Sequence, residues 1–332
     1  MTLDLSPSGP VVAAGLSPAW QTIMRFASLE AGEVNRASEV WRGASGKVLN
    51  VAVALATLRG GCRAVTVMGG AAAGWTAVEL AGFGIELVAV PIVADARCCT
   101  TLLDDATGRT TELVENAPPI TPEELARFVS AYEGAVAGAA AVVLSGSLPA
   151  GTPATIYRDL LERTPCPAIV DARGPELVAA LSCRPLIAKP NREELARTIG
   201  RPLGSEVDLR AAMESLRERG AEWVLVTDGA KPAILLGPSG WFHVVPPRPE
   251  RVINPIGCGD CLAAGIADQI ARGRDPLEAI RFGMACASFN CGTLLAGRLD
   301  RSVVNRLSGL VEVTRIAGAS EKPDRDGYTL PP

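Results

Sequence analysis

The sequence predicts an α/β fold whose core is a mostly parallel sheet covered by helices on both faces. Three observations carry this expectation. From about Val11 onward, short β-rich runs alternate strictly with helical patterns. Those runs are continuously apolar, the pattern of strands buried on both faces. With 48% hydrophobic residues and only 4% aromatic, Ala, Val, Leu and Ile must fill the core, which suits helices packed on a buried sheet.

In chain order, Val65–Met68, Ala140–Leu144, Ala168–Val170, Leu186–Ala188 and Trp223–Thr227 read as buried strands. The helical patterns are Asn50–Leu58, Pro122–Ala137, Thr152–Arg163, Asp208–Arg219, Cys261–Arg272 and Pro276–Cys291. Sheets of this kind bind ligands beyond the carboxyl ends of their strands, so function is expected in the loops after strands. Two stretches break the pattern. Residues 21–41 and 97–114 are more polar, and the second alternates around a turn at Asp105-Ala106-Thr107-Gly108, a hairpin signal. They are expected to form strands outside the main sheet, a small β lid over its ligand end. The main domain would then comprise residues 11–20, 42–96 and 115–319, with a polar, proline-rich mobile tail at 320–332.

Composition excludes several chemistries. The single histidine, His243, sits beside Trp241 and Phe242 and reads as a strand or surface residue. Histidine-rich metal clusters are therefore excluded, and a Ser/His/Asp triad could use it only once. Lys and Arg total 32 against 36 Asp and Glu, a net charge of -4, so no field draws the molecule to nucleic acid or an anionic membrane. The nine cysteines lack zinc-type pairing, although Cys258 and Cys261 form a lone C-x-x-C. A reducing cytoplasm is the expected location. No export signal or membrane span is expected, since the most apolar segment, Ala135 to Leu148, is short and interrupted by Gly138, Ser145 and Gly146.

The most informative segment is Asn254-Pro255-Ile256-Gly257-Cys258-Gly259-Asp260, which runs directly into an apolar helix. Its two glycines allow close backbone approach, and the amides of residues 257–259 would point out of a helix N-terminus, where anions are favoured. That is a phosphate seat. Asp260 just inside it is either a helix cap or a proton acceptor for an attacking hydroxyl. Lys189-Pro190-Asn191, with Glu194 one turn on, follows a strand and delivers Lys189 and Asn191 at its end. A plain Asn cap would use the same residues.

With these segments the chain resembles the PfkB carbohydrate kinases, and within them the branch of 1-phosphofructokinase and tagatose-6-phosphate kinase. Residues 254–260 match that family's N-x-V-G-A-G-D signature. Five further segments follow the family's order: Gly32 to Ala37, Gly46-Lys47 with Asn50-Val51-Ala52, Leu144 to Pro149, Lys189 to Asn191 with Glu194-Leu195, and Val226-Thr227 with Gly229-Ala230. The resemblance implies a ribokinase-like three-layer α/β/α sandwich with a small β-sheet lid, and an ATP-dependent, Mg²⁺-assisted sugar kinase. Asp260 would be the catalytic base, and the amides of Gly257, Cys258 and Gly259 the anion hole. Lys189, Asn191, Thr227 and Gly229 would bind the nucleotide, and Glu194 would organise Mg²⁺ through water.

On the acceptor side the resemblance assigns Ser17, Gln21, Ser45, Gly46, Lys47, Asn50, Arg97 and Ser147, with Arg36 as a helper and Asp171 near the cleft. Here the sequence departs from the family pattern. Gln21 replaces an aspartate that accepts from sugar hydroxyls, Ser17 replaces an asparagine, and Ser45 and Val48 replace glycines of G-G-K-G. Arg97 keeps the family's arginine, expected to pair with a phosphate already on the substrate. The expected acceptor is a ketohexose phosphate such as fructose 1-phosphate, fructose 6-phosphate or tagatose 6-phosphate. The alternatives are a kinase of the same fold acting on another acceptor, and a non-catalytic nucleotide- or sugar-binding protein. A homodimer through the lid is also expected, because exposed strand edges invite pairing.

Overall fold

The structure, a computed structural model, describes residues 9–317; the expected tail at 320–332 lies outside the described residues. The chain starts with β1 (Val11–Gly15), leaves the core for β2 (Ala19–Phe26) and β3 (Glu39–Ser45), and returns through α1 (Lys47–Arg59), β4 (Arg63–Met68), α2 (Ala71–Gly82) and β5 (Glu86–Pro91). A second excursion forms β6 (Arg97–Asp104) and β7 (Arg109–Val114). Strand and helix then alternate: α3 (Pro122–Val136), β8 (Ala141–Ser145), α4 (Ile156–Leu161), β9 (Ala168–Asp171), α5 (Gly174–Ala180), β10 (Ile187–Ala188), α6 (Arg192–Ile199), α7 (Glu206–Glu218) and β11 (Trp223–Val226). An antiparallel β12 (Ala233–Gly237) and β13 (Gly240–Val245), then α8 (Cys258–Ala271), α9 (Pro276–Cys291), α10 (Arg301–Ser308) and β14 (Glu312–Ile316), complete the order.

The main sheet has the order β14-β13-β12-β11-β10-β9-β8-β1-β4-β5. Its strands are parallel from β5 to β11, and the other three add antiparallel at one edge. Period-two alternation sorts the strand residues to two faces. Val11 and Ala13 join the apolar cluster of α1, α8 and α9, whereas Val12 and Ala14 join that of α3 to α7. These are the three expected layers. Helix starts follow local chemistry: Thr121 with Glu124, Asn191 with Glu194, and Ser205 with Asp208 each make a reciprocal capping box.

The two polar excursions form one separate four-stranded sheet, order β3-β2-β6-β7. The Asp105–Gly108 turn joins β6 to β7, with Gly108 at φ 67 and its amide on the Asp104 carbonyl at 2.8 Å. Small-sheet pairing runs beyond the expected bounds of 21–41. Ala19 pairs with Ser45, so residues 19–20 and 42–45 belong to the small sheet. The reason is that β2 leaves β1 after three residues, and β3 keeps its ladder until the turn into α1. The expected helix at 152–163 is regular only over Ile156–Leu161. His243 lies within β13, opposite Ile234 and Thr314, as the strand reading expects.

Helices α8 and α9 pack closely because glycines stand at their contact. A Cβ on Gly283 would lie 2.6 Å from the Leu262 carbonyl oxygen, and one on Gly265 would lie 2.9 Å from the Gly283 Cα. The first contact is with backbone, which cannot rotate away. Gly283→Val should therefore destabilise the fold by roughly 1–3 kcal/mol through overpacking. The measurement is the urea unfolding midpoint, and an unchanged midpoint would contradict the packing described.

Candidate active site

The carboxyl ends of β9 and β10, the start of α1 and the start of α8 meet at one place, and they bring together charged groups far apart in sequence. Asp171 ends β9, buried to 1% exposure. One of its oxygens lies 2.9 Å from Lys47 Nζ and the other 3.1 Å from Lys189 Nζ. Lys47 also reaches Glu194 Oε1 at 2.8 Å. Burial alone would raise the Asp171 carboxyl, but the two ammonium groups outweigh it and hold it below its ordinary range. Burial likewise pulls Lys47 down, and the carboxylates of Asp171, Glu194 and Asp260 more than reverse this, leaving it above the usual lysine range.

Asp260 stands in the first turn of α8 and is buried. Its Oδ2 accepts from Asn50 Nδ2 at 2.8 Å, while Asn50 Oδ1 accepts from Ser45 Oγ at 3.3 Å. Burial first, then the nearby Asp171 charge, push its carboxyl up to about 6, against the opposing pull of Lys47, Asn50 and Lys189. The preceding loop is shaped by Asn254, whose Oδ1 accepts from the Ile256 amide at 3.1 Å. Gly257, at φ 82, caps α8, and a Cβ there would strike Ala296 Cβ at 2.5 Å. The next glycine faces Lys189: a Cβ on Gly259 would lie 3.4 Å from its Nζ. Of the three amides expected to form the anion seat, that of Cys258 turns back to the Pro255 carbonyl at 3.4 Å.

Asn191 caps α6, accepting from the Glu194 amide at 2.8 Å, while Glu194 Oε2 accepts from the Asn191 amide at 2.9 Å. The residues expected at the nucleotide thus form a capping box. Both Glu194 oxygens already have partners in this arrangement, Lys47 and the Asn191 amide. Thr227 follows β11 and accepts the Arg192 amide at 2.9 Å, and Gly229 turns at φ 58. Among the described residues no group of three His, Cys, Asp or Glu side chains could enclose a metal. The donor set fits an ion that keeps its waters and takes phosphate oxygens, as Mg²⁺ does, and the two lysines with the α8 terminus fit polyphosphate.

Six of the residues expected on the acceptor side fall into two groups. Gln21, Ser45 and Asn50 line a narrow cleft between the small sheet and helices α1 and α2, together with Thr101, Glu79 and Arg298. Gln21 is buried and donates from Nε2 to Thr101 Oγ1 at 2.6 Å. Ser17, Ser147 and Arg97 form the second group. Ser17 Oγ donates to the Ser147 carbonyl, and Arg97 donates to the carbonyls of Ser17 at 3.1 Å, Glu115 at 3.2 Å and Pro18 at 3.4 Å. The Arg97 guanidinium therefore bolts the small sheet to the segment after β1, which differs from a wholly free phosphate fork. Two of its five N–H groups remain. Gly46, at φ 88, starts α1, and a Cβ there would lie 2.7 Å from the Ser17 carbonyl oxygen.

Val48, which replaces a glycine of the family's G-G-K-G, is 1% exposed and packs towards Gly15 in the core. Arg36 lies in the loop joining β2 to β3, outside any strand. The sequence reading also passed over Glu79 and Arg298, whose 2.8 Å ion pair at the cleft wall joins positions 219 residues apart. No local pattern could reveal such a pair.

The Asp260 carboxyl supplies a test that needs no substrate. Its proton is held more tightly in the folded chain than in the unfolded one, so the stability it contributes is complete below the ordinary carboxyl value and is lost as pH rises through about 6. Asp260→Asn stays neutral and should be the more stable protein above pH about 6, by on the order of 2–3 kcal/mol. That advantage should shrink towards pH about 4. Urea unfolding across this range reads it directly, and an advantage that does not change with pH would refute the shift.

The fold has close counterparts among solved structures. A protein described as a possible 1-phosphofructokinase from Thermotoga maritima superimposes with a TM-score of 0.83 at 22% identity, covering 92% of this chain and 99% of that one. Phosphofructokinase-2 from Escherichia coli in complex with fructose-6-phosphate gives 0.79 at 24%, covering 91% and 99%. Ribokinase from Thermotoga maritima gives 0.73 at 19%, covering 90% and 99%. The family model described as pfkB family carbohydrate kinase matches residues 18–299, a span that takes in the cleft beside the small sheet, the lysine and carboxylate cluster and the start of α8. The chain belongs to the pfkB family of carbohydrate kinases.

Proposed function

We propose that this kinase transfers the γ-phosphoryl group of ATP to a primary hydroxyl of a ketohexose phosphate, such as fructose 1-phosphate, fructose 6-phosphate or tagatose 6-phosphate. The observation that carries the reading is Asp260: a buried carboxyl pushed up to about 6, hydrogen-bonded to Asn50 and seated in the first turn of α8. A carboxylate there opposes anion binding unless it has a proton to accept.

In this reading Asn50 holds Asp260 in position, and Asp260 takes the proton of the attacking hydroxyl. The α8 amides of Gly257 and Gly259, and that of Cys258 once released from Pro255, receive the charge on the transferring group. Lys189, Asn191, Thr227 and Gly229 hold the nucleotide. Lys47, paired with Asp171 and Glu194, would add positive charge on the acceptor side. Mg²⁺, held through water near Glu194, would supply charge neutralisation of the phosphates. Ser17, Ser45, Gly46, Gln21, Ser147 and the two remaining Arg97 N–H groups would bind the acceptor and its phosphate. The small sheet would act as a lid that excludes water when both substrates are present.

A second acceptor class is favoured by one observation. One of the two Gln21 amide N–H groups is spent on Thr101, which leaves one N–H and an uncharged carbonyl where the family pattern has a carboxylate, so a sugar with a different hydroxyl arrangement also fits. Exposed Leu113 and Val114 on edge strand β7, with Val40 on edge strand β3, support pairing of two copies through the lid. Nine free thiols support a cytoplasmic location. Among the described residues no helix is long and apolar enough to cross a membrane.

The test is ADP release with MgATP across a panel of sugars and sugar phosphates. Turnover should concentrate on ketohexose phosphates, and Asp260→Asn should lower kcat by about 10²–10⁴-fold while ATP still raises the unfolding temperature. Turnover on no acceptor, with ATP stabilisation retained, would favour the binding-protein alternative. Wild-type turnover by Asp260→Asn would remove the base.

A further inference from the structure

The C-x-x-C at 258 and 261 does not pair. Cys261 faces the core, fully buried, with its thiol on Asn290 Oδ1 at 3.2 Å. The fold instead brings Cys258 to a residue 33 positions away: its Sγ lies 3.1 Å from Cys291 Sγ. Cys258 is the first residue of α8 and Cys291 the last of α9, and both sulfurs belong to residues only partly buried. Asn290 Nδ2 also donates to Cys258 Sγ at 3.3 Å, so the pair is held facing, not merely close. We propose that Cys258 and Cys291 are a redox-active dithiol, oxidised by peroxides to an intramolecular disulfide that reversibly stops phosphoryl transfer.

The geometry makes the bond cheap to form and costly to the site. Closing the S–S bond to about 2.05 Å requires the sulfurs to move by only about 1 Å. Because the two helix ends are otherwise set by packing, part of that movement falls on the Cys258 backbone, which lies between Gly257 and Gly259 in the proposed anion seat. A displacement of about 1 Å at a reacting centre can cost about 10²-fold in rate.

The reactivity has a physical basis as well. The hydrogen bond from Cys258 brings the Cys291 thiol down to about 7, and the same sharing raises Cys258. The pair therefore shares one proton, and the thiolate that forms near pH 7 lies on Cys291, held by the Cys258 thiol. That thiolate attacks the O–O bond of hydrogen peroxide, giving a sulfenic acid and hydroxide. The second thiol then displaces the sulfenic oxygen as water, so the two thiols supply two electrons and two protons and the peroxide leaves as two waters. A thiol reductant reverses the bond. The other cysteines lack such an arrangement: Cys98 and Cys99 are neighbours on opposite faces of β6, and Cys286 is enclosed in the core.

The disulfide itself does not depend on the kinase reading; only its effect on turnover does, and the experiment separates them. The full chain is treated with hydrogen peroxide, then denatured and alkylated. Two of its nine thiols should be lost, with a mass decrease of about two hydrogens and a cross-linked peptide pair containing Cys258 and Cys291. Turnover should fall by about 10²-fold and recover with dithiothreitol. Cys291→Ala should keep basal turnover, form no cross-link, and resist the reversible loss. Failure to find the 258–291 cross-link, or a cross-link elsewhere, overturns the dithiol. A cross-linked protein that keeps full turnover overturns the inhibition alone. If no acceptor supports turnover, the cross-link still tests the dithiol by mass.

Discussion

Asp171, buried between two lysines, is the contact on which the site depends. A carboxylate taken from water and left unpaired is costly, and a buried pair broken on one side typically loses about 3–5 kcal/mol. Lys47 and Lys189 each supply an ammonium within about the length of a hydrogen bond. They arrive from the start of α1 and the end of β10, so the ion pairs tie three elements that no sequence neighbour joins. Asp260 then feels the same negative centre, which is one reason that its proton is held so firmly. The carboxylates outnumber the lysines in this cluster, and this excess adds to burial in raising the Asp260 carboxyl to about 6.

The backbone supplies the second constraint. Gly46 and Gly257 lie in left-handed conformations against neighbours that leave no room for a side chain, the first against the Ser17 carbonyl and the second against Ala296. Both stand immediately before helices whose first turns enter the site. The positive φ lets the chain reverse sharply, and the missing Cβ lets the reversal press against its support. The small sheet is attached at the same place. β2 departs just after β1, β3 ends just before α1, and Ala19 pairs with Ser45. Arg97 fixes the sheet at that place through the carbonyls of Ser17, Pro18 and Glu115.

Legibility differed by the kind of signal. Strands such as Ala168–Asp171 were readable because burial on both faces demands an unbroken apolar run, and the 105–108 turn because Gly108 needs a positive φ. The caps at Thr121, Asn191 and Ser205 obey local hydrogen-bond chemistry. Bounds were less readable where pairing continued past a change in polarity, as at residues 42–45. The direction of Val48 was not legible from its place in the motif, because helix register, not residue type, turns it towards Gly15.

By itself the sequence determined the alternation of layers, the turns and caps, and the presence of a glycine-rich helix start ending in a carboxylate, because each follows from contacts a few residues long. Tertiary structure alone decided which charges meet. Asp171 joins Lys47 across 124 positions, Glu79 joins Arg298 across 219, and Cys258 meets Cys291 and not its motif partner Cys261. The physical reason is that helix and strand geometry fixes the direction of each side chain locally. What stands in that direction is set by how the layers pack.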